Sequence, residues 1–147
     1  MRIAGTELNL KHKALEIYLS GCKSHSCVGC HNPELWDFAV GDNVDIDYLE
    51  SKLAAIQSAR LVNSVWILGG EPLDQDMDEL CVLLRAMKNH THKIVLWTHY
   101  EDVPKPVAKL VQYAKLGPYV SGGEPYVEPL LGIQLANKEQ RIVRLYT

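Results

Sequence analysis

Apolar positions along this chain follow two rhythms. Compact runs in which nearly every residue is apolar, Ala14 to Leu19, Ser64 to Leu68 and Lys93 to Thr98, predict buried strands. Between them the apolar residues recur every three or four positions, as on one face of a helix. Leu49, Leu53 and Ile56 mark a first helix near Asp47, where Asp47 and Glu50 have capping-box spacing. Met77, Leu80, Leu84 and Met87 mark a second, over roughly Asp76 to Asn89, and Cys81 belongs to that apolar stripe. Pro104 and Pro106 open a third, predicted over Val107 to Ala114, ahead of a short strand from Leu116 to Val120. Ser121 to Pro129 is rich in Gly and Pro and predicts a loop, and Gln140 to Tyr146 alternates enough for a terminal strand. Strand and helix alternating in this order predict an α/β fold with a parallel sheet and crossover helices.

Two of the predicted strands run directly into unusual residues. Ala14 to Leu19 leads through Ser20-Gly21 into a segment with Cys22, Cys27 and Cys30. Ser64 to Leu68 ends in Gly69-Gly70-Glu71-Pro72, a turn whose glycines permit backbone angles and close approaches that other residues do not. In parallel sheets, ligands bind beyond the carboxyl ends of the strands, so both segments are candidates for one site.

At 147 residues and 47% hydrophobic, with a mean hydropathy of -0.10, the chain fits a single domain spanning residues 1–147. Its net charge of -3 is spread over interspersed acids and bases, which gives no footprint for nucleic acid or an anionic membrane. No apolar stretch approaches the roughly 20 residues of a spanning helix, and the first residues lack the apolar core of a secretory signal. A cytoplasmic location is the expectation, and clustered thiols in a reducing cytosol point to metal ligation rather than disulfides.

Three metal centres compete for Cys22, Cys27 and Cys30. A structural site closes with four protein ligands, whereas three thiolates leave a position open for chemistry. The Cys-x4-Cys-x2-Cys run also matches the start of a plant-type ferredoxin, for which Cys81 is the available fourth ligand, although its helical register places it among Leu and Met. A zinc site would need His25 or His31, since His90, His92 and His99 are remote in sequence and His90 and His92 read as helix-end and loop residues. Trp36 and Trp66 read as core.

Taken together, Cys22-x4-Cys27-Val-Gly-Cys30-His31-Asn32-Pro33-Glu34-Leu35-Trp36, Trp66-Ile-Leu-Gly-Gly-Glu-Pro-Leu-Asp-Gln75 and Trp97-Thr98-His99-Tyr100 resemble the radical S-adenosylmethionine family. Within it, the small size, the segment Lys115 to Val120 and the tail around Asn137 to Arg141 are most similar to the activators of anaerobic ribonucleoside-triphosphate reductase. Two departures stand out. The family spacing is Cys-x3-Cys-x2-Cys, and the extra residue here lengthens the loop by at most about 3.5 Å, which a bulge absorbs. His99 stands where relatives often carry Gly.

The resemblance implies a 4Fe-4S cluster on Cys22, Cys27 and Cys30, with S-adenosylmethionine bound at its open iron. It places Gly69, Gly70, Glu71 and Pro72 around the methionine amino group and Gly29 and His31 beside the adenine, with Thr98 as a further contact. Reductive cleavage would yield a 5'-deoxyadenosyl radical that takes hydrogen from a glycine of the partner reductase, with no protein acid or base. A low-potential donor such as flavodoxin or ferredoxin would supply the electron. The implied fold is a shortened partial parallel (β/α) barrel, since a full barrel needs roughly 250 residues. The competing functions are activation of another glycyl-radical protein, a ferredoxin-like electron carrier using Cys81, and a zinc-stabilised interaction domain.

Overall fold

The structure is a computed structural model and describes residues 1–24 and 33–146. Strands β1 (Arg2–Asn9) and β2 (Ala14–Leu19) form an antiparallel hairpin, and β3 (Asp42–Asn43) pairs with the start of β1. Helix α1 (Ile46–Ser58), strand β4 (Ser64–Gly69), helix α2 (Met77–Lys88), strand β5 (Ile94–Trp97), the single turn α3 (Lys105–Ala108) and strand β6 (Tyr113–Leu116) follow in alternation. Strands β7 (Tyr126–Val127) and β8 (Gln134–Leu135) pair with each other, and β9 (Arg141–Arg144) returns to run antiparallel to β6. The resulting sheet has the order β3-β1-β2-β4-β5-β6-β9. Its centre, β2-β4-β5-β6, is parallel as the alternation predicts, and antiparallel strands flank it at both edges.

Period-two geometry assigns the strand residues to two covered faces. Leu15, Ile17 and Leu19 of β2, Val65 and Ile67 of β4, and Ile94 and Leu96 of β5 join one core with Leu49 and Leu53 of α1, Leu80, Leu84 and Met87 of α2, and Val107 of α3. The alternate residues Ala14, Trp66 and Val95 form a second core under Ile133 and Leu135 of the tail. Coverage on both faces explains why these strands read as unbroken apolar runs. Trp66, 5% exposed, is core as predicted. No helix among the described residues is long and apolar enough to cross a membrane.

Four boundaries differ from the sequence expectation. Nothing in the pattern before Ala14 marks a strand, yet β1 forms because β2 offers it an antiparallel edge from Asn9↔Ala14 to Ile3↔Leu19. Helix α1 is capped two residues early, by Asp45, whose side chain accepts from Tyr48 N at 3.0 Å, so Asp47 falls in the first turn. The helix expected over Val107 to Ala114 stops after one turn, because Tyr113 and Ala114 pair with Val95 and Leu96 of β5 and with Arg144 and Val143 of β9. The strand expected over Leu116 to Val120 therefore lies earlier and ends just before Gly117, whose φ is 97° and where a Cβ would meet Glu139 O at 2.5 Å.

Candidate functional site

Because β2, β4, β5 and β6 are parallel, the residues after each reach the same end of the sheet. The registers Leu19↔Gly69 and Trp97↔Lys115 place the cysteine segment, the Gly-Gly-Glu turn and Thr98-His99 side by side. A cavity of about 300 Å³ opens there, at the lower end of the roughly 300–1,000 Å³ typical of ligand sites. Cys22 and Trp36 form one wall, Gly69, Gly70 and Glu71 the next, and Thr98 and His99 a third. Trp36, expected in the core, is half-buried on this wall instead.

The cysteine segment is held by the turn after β4. Glu71 N donates to Gly21 O at 2.7 Å, Gln75 Nε2 to Ser20 O at 3.0 Å, and Lys23 N to Asp74 Oδ2 at 2.8 Å. Gly21 N and Cys22 N in turn donate to Leu35 O and Trp36 O, which ties the two ends of the cysteine loop together. Both glycines serve this closeness. A Cβ on Gly69 (φ 136°) would meet Leu19 O at 2.0 Å, and one on Gly70 would meet Gly21 O at 2.4 Å and Leu35 O at 2.6 Å. The backbone that comes close to the turn is thus the cysteine loop's own, which adds a structural reason to the ligand approach expected from the sequence.

Glu71 is 1% exposed and its carboxylate is filled by four donors. Oε2 accepts from Leu73 N at 2.9 Å and Thr98 Oγ1 at 2.8 Å, while Oε1 accepts from His99 N at 2.8 Å and lies 2.7 Å from His99 Nδ1. A carboxylate offers about four acceptor positions, so what this turn leaves for a ligand is its backbone. Thr98 reaches the cavity but spends its hydroxyl on Glu71. Pro72, expected among the ligand-cradling residues, is not on the cavity wall: it is buried behind Glu71, where it opens the 3-10 turn Pro72–Asp74. The Glu71 hydrogen bond raises the His99 pKa above 6.5, against the opposing effect of burial. Tyr100 donates to Asp74 Oδ1 at 2.6 Å, and that bond pushes its phenol from 10.0 up to about 12.

Cys22 is 7% exposed. Cys27, Cys30, Gly29 and His31 lie outside the described residues. The part of the site that is described fits a sulfur-ligated cluster with an organic ligand: a buried thiol on the wall, tryptophan rings beside it, and Trp97 Nε1 buried with no partner among the described residues. Cys81 sits in the helix-side core, 4% exposed and off the cavity wall, as its stripe position predicts; it is not placed as a fourth ligand.

The far wall was not legible as a site. Lys115 is buried, its Nζ donates to Gly117 O at 3.1 Å and stands 5.9 Å from the Trp97 ring centre. Tyr119, Gln134 and Gln140 complete the wall. Their signal in the sequence was the likeness of Lys115 to Val120 and of the tail, which identifies segments but assigns no roles.

Residues 12–116 match the model of a family described as a 4Fe-4S single cluster domain. The chain is also 30% identical over 99 residues to a 7-carboxy-7-deazaguanine synthase of Prochlorococcus marinus, covering 67% of this chain and 43% of that protein. A 7-carboxy-7-deazaguanine synthase of Pyrobaculum aerophilum is 31% identical over 88 residues, 58% of this chain and 38% of that protein. The chain spans less than half the length of these curated relatives.

Proposed function

This chain belongs to the 4Fe-4S single cluster domain family, among the radical S-adenosylmethionine enzymes, and on that footing we propose that it is a glycyl-radical activase acting on anaerobic ribonucleoside-triphosphate reductase. One observation carries the choice of target. The segments that resemble the reductase activators, Lys115 to Val120 and the tail near Asn137 to Arg141, supply Lys115, Tyr119 and Gln140 to the lining of the cavity that also holds Cys22. Likeness in the segments that meet the substrate bears more on the target than likeness in the cluster motif, which many activities share.

In this reading Cys22, Cys27 and Cys30 would hold the cluster, and three protein ligands would leave room for S-adenosylmethionine to bind at it. When bound, the cluster supplies the electron for reductive cleavage of S-adenosylmethionine, which gives a hydrogen acceptor strong enough for a glycine Cα–H. The chain's residues then position and shield. The backbone of Gly69, Gly70 and Glu71 would hold the methionine amino group and Gly29 and His31 would sit beside the adenine, while Thr98 donates to Glu71 and so helps the turn keep its shape. Trp36 and Trp97 keep water from the wall around the thiol. The parallel strands β2, β4, β5 and β6 serve as the wall of a shortened barrel whose mouth admits a protein loop. A flavodoxin- or ferredoxin-type donor in the cytoplasm would reduce the centre.

The test is anaerobic reconstitution with iron and sulfide, followed by low-temperature EPR with and without S-adenosylmethionine, then incubation with the reductase. A 4Fe-4S signal altered by S-adenosylmethionine, 5'-deoxyadenosine release and a glycyl-radical signal on the reductase are expected. A chain that leaves the reductase silent but restores 7-carboxy-7-deazaguanine to cells lacking its synthase would overturn the target. A 2Fe-2S signal indifferent to S-adenosylmethionine would overturn the radical chemistry.

A further inference from the structure

Beyond its ligands, the site contains a chain of polar contacts that ends on sulfur. We infer that Glu71, His99 and Ser24 form a hydrogen-bond relay onto the Cys22 sulfur, and that this relay sets the reduction potential of the iron-sulfur centre; the inference rests on the reading of Cys22 as a cluster ligand. Glu71 Oε1 lies 2.7 Å from His99 Nδ1, and a carboxylate can only accept, so that ring nitrogen carries the proton. The ring also packs against Tyr100, with ring centres 4.2 Å apart and planes tilted by 33°. Its far nitrogen, Nε2, lies 3.2 Å from Ser24 Oγ, which in turn is 3.8 Å from Cys22 Sγ.

The distances alone do not fix the direction of the relay; a ligating thiolate at one end and a doubly protonated ring at the other do. A ligating thiolate has no proton and can only accept, so the Ser24 hydroxyl must donate to it. Its oxygen then accepts from His99 Nε2 with the ring in its doubly protonated imidazolium form, the form that the buried Glu71 carboxylate at Nδ1 favours. Each link in the relay is thereby polarised toward the sulfur. Hydrogen bonds to cluster sulfurs favour the reduced, more negative state and raise the potential.

Nor is the imidazole needed to shape the turn. Glu71 already draws on Leu73 N, Thr98 Oγ1 and His99's own backbone N–H, three bonds that survive loss of the His99 ring. Ser24 is exposed and lies in the four-residue spacer between Cys22 and Cys27, so its hydroxyl is no part of the core. A side chain that is dispensable for packing yet bridges a buried carboxylate to a ligand sulfur is a positioning residue for the metal centre.

The experiment is an anaerobic potentiometric titration of the cluster-loaded chain, followed by EPR without S-adenosylmethionine. Wild type is compared with Ser24→Ala, Ser24→Thr, His99→Ala and the Ser24→Ala/His99→Ala double variant. The relay predicts that Ser24→Ala makes the cluster about tenfold harder to reduce, or about 59 mV for one electron, while Ser24→Thr keeps the hydroxyl and stays near wild type. His99→Ala shifts the same way, and the double variant goes no further than the larger single shift, because both remove one path. Equal potentials in Ser24→Ala and wild type at equal iron content, or shifts that add in the double variant, would overturn the relay alone. A wild-type chain that takes up no 4Fe-4S cluster overturns the ligand reading beneath it, a result visible before any variant is compared.

Discussion

Tyr100 donates its hydroxyl to Asp74 at 2.6 Å, and the other oxygen of the same carboxylate holds Lys23 N at 2.8 Å. One side chain therefore links the segment after β5 to the residue next to Cys22, and the start of the cysteine segment is tied to a contact made two strands away.

Tyr100→Phe removes the donor and leaves the ring. Hydrogen bonds to charged acceptors contribute roughly 1.5–3 kcal/mol, but Tyr100 is 38% exposed, so a loss of about 1 kcal/mol is expected. In a domain of this size that corresponds to a Tm lower by about 2–4 °C. With its folded pKa raised from 10.0 to about 12, the phenol donates throughout the neutral range; its contribution is complete below pH 10 and lost as pH rises through about 12. The Tm difference from wild type should hold constant between pH 6 and pH 9, and a difference that disappears within that window would show that the bond is not what stabilises the loop.

Gly70→Ala tests how tightly the turn and the cysteine loop are fitted. The new methyl would lie 2.4 Å from Gly21 O and 2.6 Å from Leu35 O, both backbone atoms that cannot rotate away. Overpacking of this kind costs about 1–3 kcal/mol, and the shift falls on the segment that places Cys22. Reduced iron uptake together with a lower Tm is expected. Gly5→Ala serves as the control, because a Cβ there meets nothing within 4 Å. Equal iron uptake in both variants would mean that the loop adapts freely.

What could be read from the sequence follows from how local each signal is. Strands β2 and β4 were legible almost to the residue, since a run buried on both faces allows no other reading. Helix α2 was equally clear, its ends set by Asp76, which accepts from Glu79 N at 3.0 Å, and by Asn89. The third helix failed because Tyr113 to Leu116 satisfies helical spacing as well as strand alternation, and only the two neighbouring strands decide between them. The Gly-Gly-Glu-Pro turn was located correctly, while three of the four contacts that fill the Glu71 carboxylate come from Thr98 and His99, just past β5 and twenty-seven and twenty-eight residues on, and no local pattern encodes them. Lys115 and Gln140 reach the cavity for a similar reason: β9 folds back on β6, a long-range pairing absent from any short window.

Cys81→Ala separates a packing cysteine from a ligand. Cys81 is 4% exposed among the leucines of the helix-side core, where a free thiol behaves as a small hydrophobe. The expected result is a full 4Fe-4S signal, an unchanged response to S-adenosylmethionine and a loss of about 1 kcal/mol in stability. Loss of the cluster with the fold intact would restore the electron-carrier reading.

The Glu71–His99 contact predicts a pH dependence with a definite sign. The carboxylate, chiefly through its hydrogen bond to Nδ1, raises the His99 pKa above 6.5 in the folded chain, although burial works against it. A group whose folded pKa is raised stabilises the fold most below its unfolded value and loses that contribution as pH climbs through the folded one. The neutral ring keeps its Nδ1 proton and its hydrogen bond, so part of the contribution survives in alkali. The Tm difference between wild type and His99→Gln should therefore be largest near pH 6 and shrink toward pH 9 without changing sign. Thermal melts across that range check it. A difference that grows with pH would mean that burial outweighs the carboxylate and that the ring is kept neutral against Glu71.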